Sequence, residues 1–328
     1  MAKRALVTGI AGQDGSYLAE QLLADGMHVT GMVRPGAGGG THPNLDRVRG
    51  DVTLLEGDLL DGSTLADVVR EARPDELYHL AAPTFVPASW DDAAQALVAI
   101  AGATATLLTT ACGLDPMPRV YVASSSEVFG DAGESPQDED SPMRPRSPYG
   151  VAKLSALGLA RVMRAGKGLP VSTGITFNHE SPRRPGHFLP RKVTRAAAAI
   201  ALGRQEEVVL GDLDAVRDWS DARDIARGAR LAVRYHTPGD YVFAGGIGRT
   251  VRELVEVAFA HAGVDPEGRV RTDQALVRPP EATPPVGDPS RARRDLGWRP
   301  EITFEQTIGE MVDADLALLG SAPGHHRP

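Results

Sequence analysis

The first half of the chain alternates short apolar segments with amphipathic ones. Five apolar runs have the length of buried strands: Ala5–Val7, His28–Val33, Val52–Leu55, Glu76–Leu80 and Arg119–Ala123. Between them, two segments repeat apolar residues at the spacing of a helix face, namely Tyr17–Leu23 and Leu65–Val69. Strands that alternate with helices in this way are typical of βαβ units around a parallel sheet.

The second half of the chain keeps this pattern at first and then loses it. Ala93–Ala111 is apolar around its whole circumference, as in a helix packed on several sides. A further helix after Tyr149 leads to a strand at Val171–Thr176. Beyond residue 178, loops rich in Pro and Arg separate short helices and strands such as Val208–Leu210.

Together these patterns predict the architecture. They indicate an α/β fold, a Rossmann-type doubly wound parallel sheet with a smaller C-terminal α/β substrate-binding region. We assign residues 1–177 to the sheet domain, with late elements contributed from about 208–245. Residues 178–328 are assigned mainly to the substrate-binding cap.

Composition narrows the classes of partner. The 328 residues include 35 basic and 43 acidic side chains, a formal net charge of −8. This acidic balance does not favour binding to nucleic acid or to an anionic membrane surface.

No apolar run approaches the roughly 20 residues of a spanning helix. Cys112 is the only cysteine, which excludes an intrachain disulfide and a cysteine-based zinc site. We expect a cytoplasmic protein without a signal segment, a membrane span or a metal.

A glycine-rich turn follows the first predicted strand and opens the first predicted helix. Its sequence is Thr8-Gly-Ile-Ala-Gly-Gln-Asp-Gly15. Glycine permits a tight turn and lets backbone N–H groups reach a pyrophosphate at the helix N-terminus. An ordinary strand–helix turn is the alternative, but this context favours a dinucleotide site. The predicted cofactor-binding residues of the turn are Gly9, Gly12, Gln13, Asp14 and Gly15.

The end of the second strand bears on the choice of cofactor. An acidic residue there would bind the ribose 2′-hydroxyl and select NAD. Arg34 occupies the position with no acidic residue beside it, which favours NADP, although a merely exposed arginine would look the same. Further cofactor contacts are expected after the third and fourth strands, at Asp58, Leu59, Leu80, Ala81 and Ala82.

Tyr149-Gly-Val-Ala-Lys153 places a phenol and an ammonium four residues apart, on one helix face. The positive charge favours the phenolate and is expected to lower the pKa of Tyr149 toward working pH. Ser124, Ser125 and Ser126 end the preceding strand, where a hydroxyl can bond to the reacting oxygen. We predict that Tyr149 and Lys153 contact both the reacting group and the cofactor.

Glu127 adds a second base next to these serines. A carboxylate there can remove a proton from carbon beside a ketone. The alternative is a carboxylate that merely caps the following turn.

Lysine occurs only at positions 3, 153, 167 and 192, so arginine is the usual cation of this chain. A retained lysine therefore hints at a position that requires a compact ammonium.

The sequence resembles the GDP-mannose 4,6-dehydratase family of extended short-chain dehydrogenases/reductases over nearly its whole length. Within the glycine-rich turn, Gln-Asp-Gly-Ser-Tyr is more specific than the glycines themselves. The segments that carry the resemblance are Thr8–Glu20, Ser124–Gly130, Arg146–Lys153, Phe177–Arg184, Leu210–Trp219, Arg278–Glu281, Gly287–Pro289 and Leu296–Glu301.

The resemblance implies a mechanism and a set of site residues. Ser125, Glu127, Tyr149 and Lys153 match the family's catalytic positions. Tyr149 would take the sugar 4-OH proton as hydride passes from C4 to NADP+, and Glu127 would take the C5 proton. Water would leave from C6, the hydride would return to C6, and the product would be a 4-keto-6-deoxy sugar.

The resemblance also implies substrate contacts and an assembly. Residues that match those holding the nucleotide diphosphate, base and ribose are Asn178, Lys192, Arg217, Arg278 and Glu281. The two arginines suit a pyrophosphate because their planar groups donate two parallel hydrogen bonds. Each cation alone resembles an ordinary surface residue. Homodimers formed by helix pairing, or tetramers built from them, are expected.

Three segments depart from the family pattern. Pro35 and a glycine run replace a second arginine and serines after Arg34. Ala82–Val86 replaces a more polar segment near the sugar, and Pro185–His187 differs from the usual residues after Arg184. A dehydratase acting on another GDP-hexose or heptose therefore remains an alternative. A 4-keto reductase or epimerase is another, whereas the intact catalytic set argues against a non-catalytic nucleotide-binding module.

Overall fold

A computed structural model describes residues 2–277 and 283–321. The strands are β1 (Arg4–Thr8), β2 (His28–Val33), β3 (Val52–Glu56), β4 (Glu76–His79), β5 (Arg119–Ala123), β6 (Val171–Thr176), β7 (Asn178–Glu180), β8 (Val208–Leu210), β9 (Val216–Asp221), β10 (Asp240–Phe243), β11 (Gly248–Thr250) and β12 (Val270–Thr272). The helices are α1 (Gln13–Ala24), α2 (Gly62–Ala72), α3 (Ala93–Leu97), α4 (Ala103–Cys112), α5 (Pro148–Lys167), α6 (Leu189–Ala201), α7 (Ala222–Arg234), α8 (Val251–His261), α9 (Ser290–Leu296) and α10 (Phe304–Ser321).

Seven strands form the main sheet in the order β3-β2-β1-β4-β5-β6-β10. Every neighbouring pair is parallel. The chain builds outward from β1 in one direction, then crosses over to β4 and builds outward in the other. This reversal is the mark of a doubly wound sheet, and it opens a crevice at the carboxyl ends of β1 and β4. The predicted Rossmann-type sheet is confirmed.

Helices cover both faces of this sheet. Along β1, Ala5 and Val7 belong to the core beneath α1 and α7, whereas Leu6 belongs to the core beneath α2 and α4. Successive side chains of a strand point to opposite faces, so a strand buried on both sides is apolar at every position. The continuous apolar runs in the sequence follow from this burial.

The long apolar helix is interrupted by a wider turn. Between α3 and α4, Val98–Gly102 is π-helical, and the three pieces run on as one helix, Ala93–Cys112. By length and composition this helix could cross a membrane, so the expectation that no apolar run approaches that length was wrong. It packs against α2 and α5, and the core helix of a soluble protein meets the same criterion.

The C-terminal part of the chain builds a second core. Helices α6, α8 and α10 pack together through residues such as Val193, Leu254 and Ile308. Of the later strands, β10 joins the main sheet, β9 lies between β7 and β11, and β8 pairs with β12. Arg191 and Asp315 form a buried ion pair at 2.9 Å that ties α6 to α10.

Candidate active site

The predicted site residues of the sheet domain meet at one edge of the main sheet. The glycine-rich turn follows β1, Arg34 follows β2, and Asp58 and Leu59 follow β3. Leu80–Ala82 follows β4, and Ser124–Glu127 follows β5. Because the strands are parallel, these segments border a single crevice at their carboxyl ends.

The glycine-rich turn is closely packed. Gly9 has φ +74°, and a Cβ there would lie 2.9 Å from Ala81 N. A Cβ on Gly15 would lie 2.2 Å from Gly9 O, so any side chain at this position would collide with the backbone. Gly12 is the N-cap of α1, and none of the described side chains caps this helix. Its N-terminal N–H groups are therefore suited to an anionic ligand.

Thr8 fixes the turn after β4. Its Oγ1 accepts hydrogen bonds from Leu80 N and Ala81 N, both at 3.2 Å, and lies 2.9 Å from His79 Nδ1. Since both backbone groups donate, the hydroxyl proton must point to His79, whose Nδ1 then accepts. Burial, with the charge of Lys153, lowers the pKa of His79 to about 3, consistent with a neutral ring. The backbone beside the cofactor crevice is thus held by a buried side chain.

The loop after β2 forms the exposed end of the crevice. Arg34 is exposed directly after β2. The neighbouring strand β3 ends at Glu56, whose carboxylate accepts a hydrogen bond from Gly38 N at 3.1 Å. The structure therefore adds an acidic group to this end that the sequence did not reveal. The Asp58 carboxylate is turned toward its own loop, accepting from Leu60 N at 2.9 Å.

Gln13 and Asp14 connect the glycine-rich turn to β7. Gln13 Nε2 donates to His179 O at 3.1 Å, and Asp14 Oδ2 lies 2.9 Å from His179 Nε2. His179 Nδ1 lies 2.7 Å from Phe177 O. A carbonyl and a carboxylate both accept, so each ring nitrogen must carry a proton. Although burial opposes both charges, the pair raises the pKa of His179 and lowers the pKa of Asp14.

Tyr149 and Lys153 lie in the first turns of α5, 7% and 5% exposed respectively. Lys153 Nζ donates to Ala123 O at 2.8 Å, which ties α5 to the end of β5. The Ser125 side chain lies near enough to the Tyr149 hydroxyl to lower the pKa of the phenol. Three of the four predicted catalytic residues therefore meet in a nearly dry pocket between β5 and α5.

The electrostatics of this pocket differ from the simplest expectation. Burial raises the pKa of Tyr149, and the charge of Glu127 adds to this, whereas the Ser125 hydrogen bond and Arg184 lower it. Burial also lowers the pKa of Lys153 to about 8. In the protein alone, the pKa of Tyr149 is therefore raised rather than lowered as expected, and desolvation is the largest cause.

Glu127 completes the predicted catalytic set. It follows β5, and its backbone N donates to Ser125 Oγ at 3.3 Å. Its Oε2 accepts a hydrogen bond from Ser147 Oγ at 3.1 Å, so its carboxylate faces the start of α5. One phenol and one carboxylate thus share the same pocket.

The predicted substrate residues lie on C-terminal elements. Asn178 begins β7, Arg217 lies on β9 with Nη1 2.5 Å from Val216 O, and Lys192 lies on α6. Lys192 Nζ donates to Val209 O at 2.7 Å. Arg278 and Glu281 lie outside the described residues.

Sequence reasoning missed two charged residues at this site. Besides His179, Arg184 ion-pairs with the buried Glu180 at 3.2 Å and stacks 3.6 Å over the ring of Phe188. Its charge also acts on Tyr149. Both residues belong to the motif Phe177–Arg184, from which only its asparagine was assigned a role.

Two of the departures from the family pattern meet in space. The Phe85 ring contacts His187 edge-on, with centroids 5.0 Å apart, and His187 lies 4.4 Å from the Phe188 ring. Val86, next to Phe85, packs against the cluster that contains Tyr149. Segments 82–86 and 185–187 thus contribute to one aromatic border beside the catalytic helix.

Comparisons with known proteins agree with this geometry. The sequence model of the family described as GDP-mannose 4,6 dehydratase matches residues 6–311. A GDP-mannose 4,6-dehydratase from Vibrio cholerae is 37% identical, over 97% of this chain and 95% of the relative. The chain belongs to the GDP-mannose 4,6-dehydratase family. It is therefore a dehydratase rather than a reductase or an epimerase.

Solved structures similar to this dehydratase hold nicotinamide dinucleotides. DesIV from Streptomyces venezuelae, a dTDP-glucose 4,6-dehydratase with NAD and TYD bound, superposes with a TM-score of 0.84 at 27% identity. The matched region covers 97% of this chain and 98% of DesIV. RMD from Pseudomonas aeruginosa, complexed with NADPH, gives 0.80 at 26% identity, covering 97% and 100%. The dehydratase therefore uses a nicotinamide cofactor. Among its described residues, no group of three or more His, Cys, Asp or Glu could hold a metal ion.

Proposed function

We propose that this enzyme converts GDP-mannose to GDP-4-keto-6-deoxymannose, with NADP as its retained cofactor. The curated relatives that cover nearly the whole chain carry the name of this activity. The observation that carries the proposal is that the Glu127 carboxylate accepts a hydrogen bond at the start of α5, near enough to Tyr149 for its charge to raise the pKa of the phenol. Dehydration requires one base for an oxygen-bound proton and another for a carbon-bound proton, and the pocket offers both.

The crevice fits a dinucleotide. Close backbone contacts leave no room for side chains at Gly9 and Gly15. The N-terminus of α1, which no described side chain caps, suits a pyrophosphate. Residues that would hold the cofactor are those of the glycine-rich turn, Arg34, the ends of β3 and β4, and Lys153. The chemistry that a bound nicotinamide would supply is storage of the hydride between C4 and C6, with no net redox change.

Tyr149 acts on the sugar oxygen. Its phenolate oxygen is the group that receives the 4-OH proton, and the Ser125 hydroxyl binds the sugar oxygen as it becomes a ketone. Lys153 stabilises the phenolate, because its ammonium lies 5.7 Å from the Tyr149 ring centre in a pocket that excludes most water. Beside a bound nicotinamide, oxidation at C4 would need these three residues and not Glu127.

Glu127 acts on carbon. The C4 ketone acidifies the C5 proton, and the Glu127 carboxylate receives it. The electron pair of the broken C–H bond expels the hydroxyl from C6, which leaves as water with that proton. When hydride returns to C6, C5 takes up a proton, which balances the proton that Tyr149 removed from the 4-OH. Asn178, Lys192 and Arg217 would hold the nucleotide part of the substrate.

The Glu127→Gln variant tests this proposal. Gln keeps the size and hydrogen bonding of Glu but removes basicity, so oxidation at C4 should survive. After mixing with GDP-mannose, reduced nicotinamide should accumulate with a 4-keto sugar that keeps its 6-OH. Mass spectrometry should find that the wild-type product has lost water relative to GDP-mannose. The variant should form this product about 10²–10⁴-fold more slowly. Formation of 6-deoxy product at the wild-type rate by Glu127→Gln would overturn the mechanism.

We also propose that the enzyme is at least a homodimer. Four apolar side chains are exposed on the helix Ala93–Cys112 and on α5: Leu97 (39%), Val98 (49%), Val151 (43%) and Val162 (66%). A second copy of the same helices would cover them, by self-complementary pairing. Light scattering should find a dimer or tetramer that Val162→Glu weakens. A wild-type monomer at micromolar concentration would contradict the proposal.

A further inference from the structure

Ser147 joins the carboxylate of Glu127 to the beginning of the catalytic helix. It is the N-cap of α5, and its Oγ accepts a hydrogen bond from Gly150 N at 3.0 Å. The same Oγ lies 3.1 Å from Glu127 Oε2. Ser147 is 7% exposed, so water competes little for either contact.

The roles of the two hydrogen bonds are fixed by their partners. Gly150 N can only donate, so the Ser147 oxygen accepts from it. An ionised carboxylate can only accept, so the single hydroxyl proton of Ser147 points to Glu127. A hydroxyl that caps the helix is thereby oriented as a donor to the carboxylate.

Glu127 is held at both ends by serine hydroxyls. Its backbone N donates to Ser125 Oγ, and its carboxylate accepts from Ser147. Ser125 also acts on the pKa of Tyr149, which lies two residues beyond Ser147. The position of the carboxylate is therefore tied to the same helix turn that carries the phenol.

We propose that Ser147 is a positioning residue for proton removal from C5. This inference rests on the proposed role of Glu127. By donating to one carboxylate oxygen, Ser147 fixes the orientation of Glu127 and favours its ionised form, which is the form that can receive the C5 proton. It takes no part in oxidation at C4. Ser147 therefore acts on the second step of the reaction alone.

The Ser147→Gly variant separates this role from helix capping, because Gly is nearly as good an N-cap as Ser. In a single turnover with GDP-mannose in deuterated water, the appearance of reduced nicotinamide should stay within about 2-fold of wild type. Incorporation of deuterium at C5 and formation of 6-deoxy product should slow roughly 10- to 100-fold, as expected for a lost hydrogen bond to a charged group. Ser147→Thr restores the hydroxyl and should recover most of the C5 rate.

Thr250→Gly is the matched control, since Thr250 is the N-cap of α8 and accepts from Glu253 N. It should change thermal stability about as little as Ser147→Gly does, and it should leave the ratio of the two steps unchanged. If Ser147→Gly does not fold, Ser147→Asp keeps a good cap but places a charge beside Glu127. That variant should slow the C5 step more than the C4 step.

Two results would overturn the inference. One is a wild-type rate of the C5 step in Ser147→Gly or Ser147→Asp, and the other is an equal slowing of both steps. Glu127→Gln is measured alongside. If it blocks the C5 step while Ser147→Gly does not, only the role of Ser147 fails. If Glu127→Gln itself exchanges C5 normally, the proposed function fails.

Discussion

The two ends of the nucleotide crevice differ in their access to water. At the catalytic end, formed by Ser125, Glu127, Tyr149 and Lys153, the phenol and the ammonium are nearly buried. At the phosphate end, formed by Arg34 and the loop 35–40, Arg34 and much of the loop are exposed. The first end lies between β5 and α5, whereas the second follows β2 near the edge of the sheet.

This difference determines how far charges act. In the buried end, desolvation and neighbouring charges shift the pKa of Tyr149 upward and that of Lys153 downward. At an exposed end, solvent and salt screen the same interactions within about 10 Å. Substitutions at the catalytic end should therefore change rates by orders of magnitude, and those at the phosphate end by small factors.

Tyr149→Phe should have the largest effect. Removal of the phenolic oxygen takes away the base for the 4-OH proton without opening a cavity, because the ring remains. Reduced nicotinamide should appear about 10²–10⁴-fold more slowly in a single turnover. The thermal midpoint should stay close to that of wild type. Full activity in Tyr149→Phe would exclude the proposed role.

Lys153 should impose an alkaline limit on activity. Its pKa is lowered to about 8 by burial, so the ammonium is present below that pH and is lost as pH rises through it. The profile of kcat/KM should therefore fall above pH about 8, since it reports groups of the free enzyme. Lys153→Arg stays charged, so it should retain weak activity without this decline. An unchanged alkaline limb in Lys153→Arg would assign it to another group.

The sequence predicted the regular part of the site well. The strands are parallel, so residues that follow β1, β2, β3, β4 and β5 necessarily reach one edge. Periodicity and the glycine-rich turn are enough to find that edge. The spacing of Tyr149 and Lys153 is likewise a local property of one helix.

Contacts between distant segments were beyond sequence patterns. His179 pairs with Asp14 across 165 residues, and Glu56 reaches the loop after β2 from a neighbouring strand. The aromatic border formed by Phe85, His187 and Phe188 joins two loops that have no periodicity. Such side-chain contacts depend on how the C-terminal region packs, which no local signal records.

The Asp14–His179 pair connects these two kinds of structure, and His179→Gln should have an intermediate effect. The pKa of His179 is raised above its usual 6.5, so the stability it adds is present below pH 6.5 and lost as pH rises through the folded value. The pKa of Asp14 is lowered, so its share is present above pH 3.8 and is lost as pH falls through the folded value. Urea unfolding at about pH 5.5 should find the variant about 1–2 kcal/mol less stable. The deficit should shrink at about pH 9, and a deficit independent of pH would exclude an ion pair.

Arg34 should have the smallest effect, because its guanidinium is exposed and screened. NADP carries a 2′-phosphate that NAD lacks, so Arg34→Ala should weaken NADP about 3- to 10-fold and NAD hardly at all. Glu56→Gln should act in the opposite direction, because it removes a negative charge that contacts the loop after β2. Arg70→Ala, on the C-terminal turn of α2, is the matched control and should change neither affinity. Titrations of both dinucleotides at low and high salt would measure these effects, which should diminish as salt rises.

The dinucleotide released from denatured wild-type enzyme should be NADP(H). Release of NAD would mean that Arg34 does not select the cofactor and that Glu56 outweighs it.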